Sequence, residues 1–477
     1  MTEDVLDGPD AGQAAMRGGI LRVVGYAAGT VLSLVAVALL FRELGVEDGG
    51  RYVTVLTVVA LAGGLTDAGL TAIGVREYAI RTDEDRDMLM RDLLGVRVIL
   101  TTVGIAGGLL FALLAGYDAT MLSGVVVVGM SLLLVSTASA YGVGLMARLR
   151  MGWVTAADVA RQAVSAATVV LLALLNGSLA AFFWTPLVGA VAALGITVFA
   201  VRGLVPLRPS FHPKRVKSLL ADTLAYTAAT ALGSVYFRVS VVIVSLASTA
   251  QETGYFGAAF RGVEVLIVVP QLLVSTVFPI IARAAHLDRD RLAYAIGRVF
   301  DVMLILGLAV MLGLVIGAGP VIEVVAGPEF APAADVLRIQ AVGLALSFAG
   351  SAWAYAALSL RLHREVLVVN ACALLVSVAL VLTLAGPHGA VGAAIGTTIA
   401  EFTMVVALAI AVRRTGVPLN PDRRALVRVV GAAAVAATAV LLPLPDLAQA
   451  VIALGVFGGL LLALRALPSE VLELVRR

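Results

Sequence analysis

Charged residues make up only 14% of these 477 residues, against about 25% in soluble globular domains. The single cysteine, Cys372, excludes an intramolecular disulfide. It lies in an apolar run and is expected to be a small core residue. The four histidines, His212, His286, His363 and His388, fall in loops or at helix ends and build no metal-ligand cluster. No P-loop is present, so ATP hydrolysis at a recognised site is excluded. The polar breaks GYDAT, NGS, STAQETG, GPHG and PDLAQ are too short for an extramembrane catalytic domain. An enzyme is therefore not expected, and neither cofactor nor metal is called for. Any driving force comes from an ion gradient, H+ or Na+, or from consumption of the cargo on the far side.

What is abundant is apolar: 61% of residues are hydrophobic and mean hydropathy is +1.03. Apolar runs recur from Ile20 almost to the C-terminus without a period-2 strand pattern, which predicts an all-α polytopic membrane protein rather than a β-barrel. Helices are read at about 20–41, 52–75, 93–115, 121–146, 153–175, 179–201, 219–247, 255–282, 299–318, 333–359, 366–385, 389–412, 426–444 and 448–467, about fourteen spans. The first run is too long for a signal-peptide core and lacks an A-x-A-like cleavage site, so it is expected to remain. Of the 34 basic residues, the outer segments hold only Arg42 and Arg51, and the spans hold Arg22, Arg161, Arg238, Arg261 and Arg338. The rest, Arg97 among them, fall in inner segments, which places both termini in the cytoplasm and the chain in the cytoplasmic membrane. The net charge of +3 thus reports topology, not nucleic-acid binding. The basic stretches around 76–92 and 202–218 are ordinary positive-inside loops or lie against anionic lipid headgroups.

The stretch RGLVPLRPSFHPKRVK divides the chain. The expected organisation is a tail at 1–18, a six-helix lobe at 19–202, a basic linker at 203–218, a second six-helix lobe at 219–412, and two further helices with a tail at 413–477. Gly50-Arg51-Tyr52 falls on Gly254-Tyr255-Phe256 at an offset of 204. Each half would then open with a helix, a tight glycine turn and an aromatic at the outer interface, a parallel repeat.

Several stretches, taken in order, carry a family resemblance. LFRELGVEDGGRYV is similar to a first outer turn, LAGGLTDAGL to a second helix, and TGYFGAAFRGVEVLIVVPQLLVSTVFPIIAR to an eighth. VVAGPEFAPAADVLRIQAVGLALSFAG resembles the entry to a tenth, and GPHGAVGAAIGTTIAE a twelfth. Together they resemble the polysaccharide-biosynthesis flippases of the multidrug/oligosaccharidyl-lipid/polysaccharide exporter superfamily. Asp335 departs from the pattern, which more often has an apolar residue or proline there. The resemblance implies two six-helix lobes in a V, with the first, second, seventh and eighth helices lining a cavity. It also implies alternating access, and an undecaprenyl-diphosphate-linked oligosaccharide as cargo. Membrane lipids and polysaccharide-assembly enzymes are the expected partners.

Moving a diphosphate through hydrocarbon calls for fixed cations in a wet cavity, because guanidinium forks donate charge-assisted hydrogen bonds to phosphate oxygens. Arg261, Arg238 and Arg22 are the substrate-binding candidates, each against a structural reading. Glu264, three residues after Arg261, would neutralise it as a structural pair or gate, and Arg22 would snorkel to the surface. Arg161 with Asp158, and Arg338 with Asp335, read as local pairs. Glu401 and Asp67, with help from Asn370, are candidates for ion coupling. Pro270 and Pro279 are hinge candidates or static kinks, and Gly392 and Gly396 form a GxxxG packing face. A multidrug or toxin cation antiporter of the same superfamily would favour an acidic cavity. A membrane-embedded glycosyltransferase or polymerase would carry a large outer loop or an acidic catalytic motif.

Overall fold

The computed structural model describes residues 11–67, 69–210, 231–287, 289–417 and 423–466. These are almost wholly helical, with no strand among them. The first compact unit is Met1–Val242 and the second Ile243–Arg477. Half of the expected linker, 211–218, lies outside the described residues.

In the first unit α1 (Ala11–Asp67) is followed by α2 (Leu70–Ile80), α3 (Asp83–Leu114), α4 (Ala119–Ala147), α5 (Met151–Leu174), the single turn α6 (Leu179–Phe182) and α7 (Thr185–Val201). Helix α8 (Ala231–Ala247) crosses the boundary between units. The second unit continues with α9 (Ala250–Leu266), α10 (Val268–Leu287), α11 (Arg289–Ile316), α12 (Ala318–Val325), α13 (Ala333–Ser359), α14 (His363–Arg413), α15 (Arg423–Ala437) and α16 (Asp446–Ala463). Among the described residues, eleven helices are long and apolar enough to cross a membrane. Two of them, α1 and α14, each hold two spans, and α8 adds one more, giving the fourteen expected.

The double length of α1 and α14 has a local cause. Each breaks at one glycine, Gly45 (φ 68°, ψ −174°) and Gly389 (φ 56°, ψ −139°), in backbone regions closed to residues with a Cβ. The turn expected across LGVEDGGRYV therefore collapses onto Gly45, and that across GPHG onto Gly389. In the second half the matching break is at Thr249, whose hydroxyl accepts from the Glu252 N–H and caps α9. Gly45 and Thr249 keep the offset of 204.

The aromatics after these breaks are core residues rather than interface anchors. Tyr52 stacks on Phe183 with centroids 5.7 Å apart, and Tyr255 meets Phe330 edge-on at 6.4 Å. Both tyrosines are buried, because their rings turn into the helix packing where area burial is worth most. Cys372 is also corrected: it is exposed on α14. The inner connection expected at 76–92 shrinks to Arg81 and Thr82, since α2 and α3 extend into it.

Interhelix packing leans on small residues. A methyl on Gly392 would lie 2.1 Å from the Leu384 carbonyl, so that glycine lets the two arms of α14 approach. Glu252 reaches from α9 to accept from the Ala390 N–H at 2.7 Å, satisfying an orphan donor just beyond the Gly389 break. Helices α15 and α16 pack on each other and on α11.

Candidate functional site

The site begins with Gly25 and Gly29, one turn apart on α1. A Cβ on Gly25 would stand 2.2 Å from Thr155 Cγ2, and one on Gly29 would stand 2.1 Å from Gln162 Nε2. Without Cβ atoms, α1 lies directly on α5. That approach carries Arg22, three residues before Gly25, to a cavity that Asp158 and Arg161 line from α5. The cavity holds about 240 Å³; Thr71 from α2, Ser139 from α4 and Thr197 from α7 add hydroxyls to a wall otherwise of apolar side chains.

The expected Asp158–Arg161 pair does not form, although the two stand one turn apart on α5. Among the described residues, Arg22, Arg161 and the Asp158 carboxylate have no ion-pair partner. The Ser139 hydroxyl likewise has no hydrogen bond there. Two guanidiniums against one carboxylate leave the cavity net positive. It can receive an anion with several acceptor oxygens, and it offers one acceptor group as well.

Behind the wall stands Arg97, which is 1% exposed and lies within α3 rather than in the inner loop expected from the sequence. Its Nη1 donates to the Ser136 carbonyl at 3.2 Å, and Nη2 donates to Thr71 Oγ1. Thr101 donates to Ser136 Oγ at 3.0 Å. These bonds hold α2, which starts afresh after the left-handed Gly69, against α3 and α4.

The other sequence candidates are elsewhere. Arg238, on α8 in the first unit, is half-buried, with its Cζ 5.8 Å from the Phe237 ring, and does not line the cavity. Arg261 belongs to the second unit, where its Nη1 meets Glu264 Oε2 at 2.7 Å; the two side chains are 26% and 21% exposed. Its Nε and Nη2 have no partner among the described residues. Glu401 accepts from the Ser347 hydroxyl of α13, whereas Asn370 on the other arm of α14 has no hydrogen bond among the described residues. Asp67 closes α1, but its side chain lies outside the described residues, as does that of Pro279. Pro270 is buried three residues after α9 breaks at Ile267. Lacking an N–H, it cannot bond the Leu266 carbonyl and sits in the first turn of α10, where none is needed. No group of three or more metal-binding side chains occurs among the described residues.

Comparison with known proteins bears on the whole fold that carries this cavity. Residues 15–285, more than half of the chain, match the family described as polysaccharide biosynthesis protein. The chain belongs to the polysaccharide biosynthesis protein family. Among solved structures, the lipid II flippase MurJ in an inward closed conformation superposes with a TM-score of 0.78 at 13% identity, over 92% of this chain and 98% of that one. An inward-facing multidrug-resistance MATE transporter of the MOP superfamily follows at 0.61 and 14%, over 83% and 98%. A MOP superfamily transporter from Pyrococcus furiosus, described by the reverse polarity of its binding pocket, gives 0.58 and 19%, over 87% and 98%. At these identities the likeness is one of fold. No curated protein matches the sequence.

Proposed function

We propose that this member of the polysaccharide biosynthesis protein family is a flippase that carries a polyprenyl-diphosphate-linked oligosaccharide across the cytoplasmic membrane by alternating access. The observation that carries the reading is the cavity of the first unit, where Arg22 and Arg161 stand without a carboxylate partner among the described residues. Each phosphate of a diphosphate diester carries a negative charge and acceptor oxygens, and each guanidinium presents a planar fork of donors to them. Held in a pocket between helices, such bonds are stronger than in water and compensate the diphosphate for lost hydration. The cytoplasmic placement of the arginine-rich connections, and so of this mouth, follows the positive-inside rule.

The rival within the superfamily, an antiporter of cationic drugs, fits less well, because a net positive cavity repels its cargo. A glycosyltransferase or polymerase is not supported by any acidic catalytic motif in the sequence, and no catalytic residue is assigned. Glu401, with Asp67 and Asn370, remains the candidate for coupling to H+ or Na+. Arg261 is the cargo candidate of the second unit. Partnership with polysaccharide-assembly enzymes belongs to the same proposal.

The test is reconstitution in vesicles with a labelled polyprenyl-diphosphate oligosaccharide, following its exposure on the far leaflet. Arg22→Ala and Arg161→Ala are each expected to slow transport at least about tenfold, the worth of one charge-assisted hydrogen bond. Wild-type rates in both variants would overturn the assignment of the cavity. Transport insensitive to both proton and sodium gradients would remove the coupling.

A further inference from the structure

An acid inside an anion-binding cavity is an oddity that phosphate binding does not explain. Asp158 stands one turn from Arg161 and is exposed toward the cavity instead of closing on that arginine, and its carboxylate has no protein partner among the described residues. A carboxylate carries only acceptors. Facing a bare diphosphate, which also carries only acceptors, it repels. Facing a sugar hydroxyl or an amide N–H, it gains a charge-assisted hydrogen bond.

The geometry points to Asp158 as the residue that selects a sugar-bearing diphosphate over the bare carrier lipid. The inference rests on the cargo proposed above and names what the cavity reads of it. At about 240 Å³ the cavity lies below the roughly 300–1,000 Å³ of sites that enclose a drug-sized ligand. It therefore does not enclose a whole lipid-linked oligosaccharide, and the part read there is the diphosphate with the sugar next to it. One helical turn sets the Cβ atoms of Arg161 and Asp158 about 5–6 Å apart. A phosphate on the arginine thus brings the adjoining ring to the carboxylate. Discrimination by a missing hydroxyl is the strong kind, because the analogue that lacks it leaves a charged acceptor unpaired. The consequence for transport is directional: the sugar-bearing lipid is bound at this mouth, and the bare carrier is rejected there.

The experiment uses the full chain in lipid nanodiscs and two probes, undecaprenyl diphosphate and undecaprenyl-diphosphate-N-acetylglucosamine. Wild type is expected to bind the sugar-bearing lipid at least about tenfold tighter. In Asp158→Ala the preference falls to within about twofold, while bare undecaprenyl diphosphate binds as tightly as to wild type or tighter, since a like charge has gone. Retained binding of the bare lipid also reports that the variant is folded. Asp158→Asn, which keeps one acceptor oxygen, retains part of the preference. Arg161→Ala weakens both lipids alike. A preference unchanged in Asp158→Ala, or an equal loss of both lipids there, overturns the role of Asp158 and leaves the flippase reading standing. Wild type that binds neither lipid overturns the flippase reading and the selection with it.

Discussion

Gly389→Ala offers a demanding test of the helical architecture, because two separate costs are fixed by geometry. The backbone at Gly389 has φ 56° and ψ −139°, a region in which a residue with a Cβ is strained by about 1–3 kcal/mol. The new methyl would also stand 2.2 Å from Glu252 Oε2 and 2.4 Å from its Cδ, so the carboxylate must leave. Leaving breaks its 2.7 Å bond to the Ala390 N–H, worth about 1.5–3 kcal/mol for a charged acceptor. The expected loss is about 2.5–6 kcal/mol, read by denaturant titration in mixed micelles with far-UV circular dichroism. Glu252→Ala alone should cost only the second part. In that background Gly389→Ala should cost only the strain, so the cycle closes with a coupling of about 1.5–3 kcal/mol. A Gly389→Ala cost below about 1 kcal/mol, or one unchanged in the Glu252→Ala background, would refute the reasoning.

Three further outcomes are expected. Arg97→Met removes a buried guanidinium that donates to the Ser136 carbonyl and the Thr71 hydroxyl oxygen and should destabilise the protein by about 2–4 kcal/mol; the same titration would show it, and a neutral result would mean α2 is held without it. Glu264→Gln should leave transport within about twofold, while Arg261→Ala lowers it at least about tenfold, because only one Arg261 nitrogen is engaged by Glu264; equal losses in the vesicle assay would make the pair structural. Arg51→Ala, whose charge meets Glu47 and Asp48 at a half-exposed site, should change stability by less than about 1 kcal/mol, and a larger loss would mark that cluster as buried in the membrane.

The periodicity and charge of the sequence determine the helical class, the fourteen spans and the crowding of arginines into one set of connections, because burial in hydrocarbon allows few other backbones. Local chemistry reaches a little further, to Pro270 displacing the helix break and to Thr249 capping α9. What tertiary structure decides is which charges meet. From the sequence, Arg22 stays open between a cargo-binding and a snorkelling residue, and Asp158 with Arg161 reads as a local pair, since helical spacing alone cannot tell an ion pair from two side chains facing a cavity. The signal for the contact is present: Gly25 and Gly29, one and two turns beyond Arg22, form a small-residue face on which another helix can close. Which helix closes there is a long-range choice, settled by Thr155 and Gln162 filling the space those glycines leave. Arg97 reads from sequence as a residue of an inner segment for a related reason: its burial depends on Thr71 and Ser136 arriving from two other helices, and one segment's sequence does not contain that information.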